Sequence, residues 1–288
     1  MLKRTWRTPA GAELIITHRR KAELTVRISL VAVDMDGTFL RPDMTYDRER
    51  FLRLRQRMRK AGVRFVVASG NQYWQLRSFF EPADEVAYVA ENGHFLYDIG
   101  DEAPFHAPAP RRGAGRLMVS ALEERGLTYL VSTPDGGLVP SRFSEQDLAW
   151  ARRFFPRMRV VDDVLEFADD IVKATLQLEN PRAFVSEFQA LLEGEFTAVV
   201  AGPEDADLNA PGYNKAFGLE CLSHRWGVDL AEAVAFGDSY NDLEMLQAVG
   251  LSVAMANAPQ DIRDIADRVA PSNSEDGVLG ILEELLPR

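Results

Sequence analysis

The chain has 288 residues, of which 46% are hydrophobic and 27% charged, and its formal net charge is −11 at pH 7. Such a length and composition suit a globular protein of one large or two ordinary domains, and the negative balance argues against nucleic acid or an anionic membrane surface as a general partner. Cys221 is the one cysteine, so no intramolecular disulfide exists, and no apolar stretch reaches the length of a membrane span; the cytoplasm is the expected compartment, without a membrane partner.

Met1 to Arg27 lacks the continuous apolar core of a signal peptide. It carries Lys3, Arg4, Arg7, Arg19, Arg20, Lys21 and Arg27, which read either as a solvated basic tail or as a contact for an acidic partner. Leu14-Ile-Ile-Thr17 and Leu24-Thr-Val26 are short enough and β-branched enough to form strands.

Ile28 to Val33 is a short apolar run that ends at Asp34-Met-Asp36-Gly37-Thr38. Its length and its stop at glycine predict a buried parallel strand. In an open α/β sheet ligands sit beyond the carboxyl ends of such strands, where the two aspartates emerge. A carboxylate there can accept a phosphoryl group, and a second one two residues on can pass a proton to and from the reacting oxygens. A solvated Asp-x-Asp-Gly turn is the competing reading. From Tyr46 to Lys60, Phe51, Leu54, Met58 and Ala61 recur at helical spacing, with Arg53, Arg57 and Lys60 on another face and Gly62 as the stop, which predicts a helix packed on the sheet.

A second apolar run, Val63 to Ala68, ends at Ser69-Gly70-Asn71, a hydroxyl and a glycine suited to phosphate oxygens. The stretch from about Asp98 to Asp205 is too long for a loop. Gly100, Pro104, Pro108 and Pro110 punctuate one edge and Gly202-Pro203 the other, as two linkers between domains would. Within it, Tyr129-Leu-Val-Ser132, Asp169 to Leu178 and Phe196 to Val200 read as strands, and Arg116 to Arg125 and Pro181 to Glu193 as helices, giving an inserted α/β unit. Lys173 lies on a strand face, where a lysine is either solvated or a substrate contact.

Gly212-Tyr-Asn-Lys215 opens another helical pattern, and a lysine at a helix start gains nothing from the helix dipole. That raises the weight of a functional Lys215, with an ordinary exposed lysine as the competing reading. Ala233 to Phe236 is a further apolar run, followed by Gly237-Asp238-Ser239-Tyr240-Asn241-Asp242, two acids and an amide in a tight span. His94, His106 and His224 have no ligand spacing, and Cys221 sits in a helical pattern as a small apolar residue.

The ordered set Asp-x-Asp-Gly-Thr, Ser-Gly, Lys and Gly-Asp-x-x-Asn-Asp, each acid group following a predicted strand, resembles the haloacid dehalogenase-like hydrolases. Val66-Val-Ala-Ser-Gly-Asn-Gln-Tyr73, Val89-Ala-Glu-Asn-Gly93 and Gly237-Asp-Ser-Tyr-Asn-Asp242 look like its Cof-type branch, and within that the bacterial sugar phosphatases, over about Ile28 to Leu285. The resemblance implies a doubly wound, Rossmann-like α/β core over residues 28–99 and 206–288, an α/β cap over 100–205 and an N-terminal extension over 1–27. It makes Asp34 the nucleophile and Asp36 the general acid/base. Ser69, Gly70, Lys215 and Asn241 would hold the phosphoryl group, and Asp34, Asp238 and the backbone carbonyl of Asp36 would hold Mg²⁺. Asp242 would orient Lys215 or a water. Asn71 stands where many Cof-type members have Arg, which reads as a shift in substrate. Glu91, Asn92 and His94, at the mouth of the cap, are expected sugar contacts.

Charge arithmetic agrees with the metal. Asp34, Asp36, Asp238 and Asp242 bring up to four negative charges, and a phosphate ester adds about two more. Mg²⁺ and Lys215 offset about three of them. Asp36 also excludes a dehalogenase, which needs no protonated alkoxide. The expected activity is therefore a Mg²⁺-dependent phosphatase of small esters, foremost sugar phosphates, acting as a monomer or small homo-oligomer. A flavin or pyridoxal phosphate phosphatase, a phosphomutase and a phosphometabolite-binding regulator are the alternatives.

Overall fold

The apolar runs become strands of one sheet. The computed structural model describes residues 28–108, 111–191 and 194–287, with the backbone of two upstream strands. Those two, β1 (Lys3–Arg7) and β2 (Glu13–Thr17), pair antiparallel, so the expected strand at Leu14–Thr17 is present. The strand expected at Leu24–Val26, the basic cluster Arg19 to Lys21 and Pro110 lie outside the described residues.

The larger sheet has seven strands in the order β15-β14-β13-β3-β4-β5-β6. These are β3 (Leu30–Val33), β4 (Arg64–Ala68), β5 (Ala87–Ala90), β6 (Phe95–Tyr97), β13 (Ala233–Gly237), β14 (Leu251–Met255) and β15 (Arg268–Ala270). All neighbours are parallel except β5 and β6. Alternation splits β3 between two cores, as a sheet covered on both faces requires: Leu30 and Ala32 face one cluster, Val31 and Val33 the other. On the second face lie α1 (Arg48–Ala61), α2 (Tyr73–Arg77) and α9 (Gly277–Leu285), through Phe51, Leu76 and Leu282. On the first lie α6 (Lys215–Trp226), α7 (Leu243–Ala248) and α8 (Gln260–Ile265), through Leu219, Leu246 and Ile262. This is the expected doubly wound core.

Local chemistry sets both ends of α1, the stop at Gly62 as expected. Asp47 accepts from the Arg50 N–H at its start, and Gly62 stops it with a left-handed φ of 72°. Two details differ from the sequence pattern. Ala61 is exposed, whereas Arg55 is buried and donates to the carbonyls of Asp84 and Glu85.

The second sheet has six strands in the order β11-β12-β10-β7-β8-β9. They are β7 (Thr128–Thr133), β8 (Gly136–Pro140), β9 (Met158–Val161), β10 (Lys173–Gln177), β11 (Thr197–Val200) and β12 (Asp205–Asn209). Only β8 and β9 run parallel. α3 (Ala114–Glu123), α4 (Glu145–Phe154) and α5 (Pro181–Leu191) accompany it. The boundary expected between 205 and 206 is corrected: it falls at the start of β12, whose ladders to β10 and β11 keep residues 205–209 in the second sheet. The strand expected from Asp169 begins at Lys173, because Val164–Asp170 forms a 3₁₀ segment.

Candidate active site

β3 and β13 are hydrogen-bonded neighbours, so their carboxyl ends deliver Asp34 and Asp238 side by side. The Asp34 N–H donates to the Phe236 carbonyl at 3.0 Å, which ties the first turn to the end of β13. Gly37 turns the chain with φ 79°, and a Cβ there would stand 2.4 Å from Asp238 Oδ2; only glycine lets the two loops approach this closely. Thr38 Oγ1 completes the contact by donating to Asp238 Oδ1 at 2.7 Å.

Lys215 opens α6, with Asn214 as its N-cap. It is not exposed at all: its Nζ lies 2.6 Å from Asp34 Oδ1 and 2.6 Å from Asp242 Oδ1. Burial works against the ammonium, yet the Asp242 and Asp34 carboxylates outweigh it and hold Lys215 above its ordinary pKa. The other oxygen of Asp242 accepts from the N–H groups of Asp238 and Ser239 at 2.9 and 3.0 Å. Asp242 therefore fixes the lysine and the Asp238 loop together.

One ammonium does not balance the carboxylates. Asp34, Asp238 and Asp242 each place an oxygen within 4.8 Å of the others. Burial, opposed by Lys215, raises Asp34 well above its usual range, and burial with Asp242 beside it pushes Asp238 up to about 7. A set of buried oxygen donors with excess negative charge fits a hard divalent ion such as Mg²⁺.

Asp36 points elsewhere. Its carboxylate accepts from Asn71 Nδ2 at 2.6 Å, and burial raises its pKa against that bond. Ser69 Oγ accepts from the Asn71 N–H at 3.1 Å. Asn241 lines the cleft, with its amide donating to Asn92 Oδ1 at 3.3 Å. Asp34, Asp36, Ser69, Gly70, Asn71, Asp238 and Asn241 thus share one cleft of about 800 Å³ between the two sheets.

Glu91, Asn92 and His94 do not line that cleft, which corrects their expected role as sugar contacts. They are buried beneath the Ser69–Asn71 loop, since Glu91, Asn92 and Gly93 all take positive φ and fold the chain under Ser69. Asn92 donates to Asp207 Oδ2 at 2.6 Å, and His94 stacks on Tyr213 with ring centroids 4.8 Å apart. Burial pushes His94 down to about 3, so it is neutral. Lys173 is likewise no solvated residue: it is 1% exposed. The outer wall is instead built by Arg153, Phe154, Glu179, Asn180, Arg182, Glu204 and Asp205, none of them singled out by the sequence. They come from the ends of α4, β10 and β11 and the first turn of α5, and no motif in the sequence marks them.

A family model described as haloacid dehalogenase-like hydrolase matches residues 31–282. The 5-amino-6-(5-phospho-D-ribitylamino)uracil phosphatase YbjI of Escherichia coli K12 is 36% identical over 90% of this chain and 96% of its own. The pyridoxal phosphate phosphatase YbhA of the same strain is 27% identical over 88% of this chain and 97% of its own. The crystal structure of SMU.1108c from Streptococcus mutans UA159 superimposes with a TM-score of 0.82 at 30% identity, covering 89% of this chain and 98% of that one.

Proposed function

Since this chain belongs to the haloacid dehalogenase-like hydrolases and is a phosphatase of small phosphorylated metabolites, we propose that its substrates are phosphate esters borne on a sugar or sugar-alcohol arm. The observation that carries the reading is Asp34, at the floor of a cleft that also holds Asp36, fixed from beneath by the buried pair Lys215 and Asp242. Asp34 attacks phosphorus, forming an O–P bond as the ester P–O bond breaks, and Asp36 gives its proton to the departing alkoxide. Water then attacks the aspartyl-phosphate, Asp36 takes a proton from it, and Asp34 is released with inorganic phosphate. Lys215, Ser69 and the backbone of Gly70 bind the phosphoryl oxygens. Asp34, Asp238 and the Asp36 carbonyl would hold Mg²⁺, which when bound would offset charge on the transferred group.

The second sheet acts as a cap over residues 100–209, with 28–99 and 210–288 as the core. Arg153, Glu179, Asn180 and Arg182 supply charge and hydrogen bonds for a polyhydroxylated leaving group, and Phe154 supplies a face for a ring. The name of the 36% identical relative favours a phosphoribityl arm bearing a heterocycle. Pyridoxal phosphate is the second reading, on the name of the 27% identical one.

The test is phosphate release from a panel of sugar phosphates, the ribitylaminouracil phosphate, flavin mononucleotide and pyridoxal phosphate, with Mg²⁺ and with chelator, using Asp34→Asn as the blank. Metal-dependent release greatest from the phosphoribityl and sugar esters is expected. Preference for pyridoxal phosphate would move the assignment, and full turnover in chelator would remove the metal.

A further inference from the structure

Lys173 belongs to β10 of the second sheet, yet its Nζ donates at 2.8 Å to the carbonyl of Gly70 in the phosphate-side loop of the first sheet. The same ammonium lies 3.0 Å from Asp207 Oδ1, and both side chains are buried, at 1% and 2% exposure. Asp207 is itself held by Thr175 Oγ1 at 2.7 Å and Asn92 Nδ2 at 2.6 Å, and Asn92 Nδ2 also reaches Asn209 Oδ1 at 3.2 Å. A buried cation with a matched partner can serve stability alone, but this one spends a donor on a carbonyl of the other sheet's loop.

We infer that Lys173 is a positioning residue for the phosphate-binding loop, acting through the Gly70–Asn71 peptide on the Ser69 hydroxyl. In a trans peptide the C=O and the following N–H point in opposite directions. Fixing the Gly70 carbonyl toward Lys173 therefore turns the Asn71 N–H the other way, onto Ser69 Oγ at 3.1 Å. A hydroxyl that accepts one N–H keeps a single proton to donate, and Ser69 lines the cleft, so that proton is directed to the phosphoryl oxygens. Because Lys173 rides on the second sheet, the loop is fully ordered only while that sheet is seated against the first. The role rests on the phosphatase reading above, though its readout does not require turnover.

The experiment compares wild type with Lys173→Met/Asp207→Asn, which removes the contact together with its paired carboxylate and leaves the net charge unchanged. Binding of inorganic phosphate with Mg²⁺ is measured by calorimetry, alongside kcat and KM on an active ester and the unfolding midpoint. The double variant is expected to stay folded and bind phosphate roughly tenfold more weakly. In a Ser69→Ala background the same change is expected to weaken binding by less than about threefold, because the coupling runs through that hydroxyl. Equal losses in both backgrounds, or no loss in either, would overturn the role, since a purely structural pair is indifferent to Ser69. Should the variant not fold, a crystal structure of wild type with tungstate in the cleft decides: Lys173 Nζ on Gly70 O and Ser69 Oγ on a tungstate oxygen support it, and Lys173 turned away refutes it. A wild type that binds phosphate and hydrolyses no ester sinks the phosphatase reading while leaving this contact testable.

Discussion

Replacing Lys215 with methionine keeps the apolar stem and deletes the ammonium that lies between Asp34 and Asp242. Both carboxylates are then left 8% exposed or less, with their cation gone. Breaking a buried pair by removing one partner costs about 3–5 kcal/mol. For a chain of this size, at roughly 2–4 °C per kcal/mol, the variant's Tm falls by roughly 6–20 °C. The loss has a sign in pH. Burial already raises Asp34, and without Lys215 its folded value climbs further above an unfolded value of about 3.9, so the folded state binds more protons than the unfolded one. Stability of the variant is therefore greatest in acid and declines as pH rises through the raised folded value. Thermal unfolding at about pH 5 and about pH 8 measures both effects. Adding Asp242→Asn should return part of the lost Tm without returning phosphate release. A single variant as stable as wild type at the higher pH, or more stable there than in acid, refutes the account of a lysine balancing two buried carboxylates.

Asp36→Asn should slow sugar phosphates by about 100-fold or more and an activated aryl phosphate far less, because only the poor leaving group needs its proton; equal losses on the two esters would exclude the acid role. Gly37→Ala places a methyl 2.4 Å from Asp238 Oδ2 at a positive φ, and should raise the Mg²⁺ concentration for half-activation by at least about tenfold; an unchanged Mg²⁺ curve would show that Asp238 is free to move. Glu91 is buried and pushed up to about 7, so the native state loses stability as pH rises from the unfolded value near 4.5 to about 7. Glu91→Gln should remove that slope, a gain of about 3 kcal/mol at pH 8 relative to pH 4.5; parallel urea midpoints for variant and wild type across that range would contradict it.

The floor of the cleft was legible because each part is encoded within a few residues: a β-branched run, then carboxylates or a hydroxyl at a turn. Asp34, Asp36, Ser69, Asp238 and Asp242 needed only the rule that parallel strands open at their carboxyl ends. The wall was not legible. β8, α4 and β9 went unrecognised beside the strand at Tyr129, and with them Arg153 and Phe154, whose place depends on the order of strands in a mostly antiparallel sheet. Glu91, Asn92 and His94 are expected at the mouth of the cap from the resemblance alone, but positive φ at Glu91, Asn92 and Gly93 carries them beneath the cleft. Lys173 alternates as an outward residue would, and the surface it faces is covered by a loop from the other sheet.

The pairing of β3 with β13 sets a timetable for synthesis. Thr38 and Asp238, which hydrogen-bond in the finished site, are 200 residues apart. At about 5–20 residues per second, the ribosome needs roughly 10–40 s to supply the second after the first. Through that interval β3 presents an unpaired edge, and by its end every strand from Thr128 to Asn209 has been synthesised and can close its own sheet. A nascent chain halted before Ala233 thus holds all the strands of the second sheet and a first sheet still open where Asp34 stands.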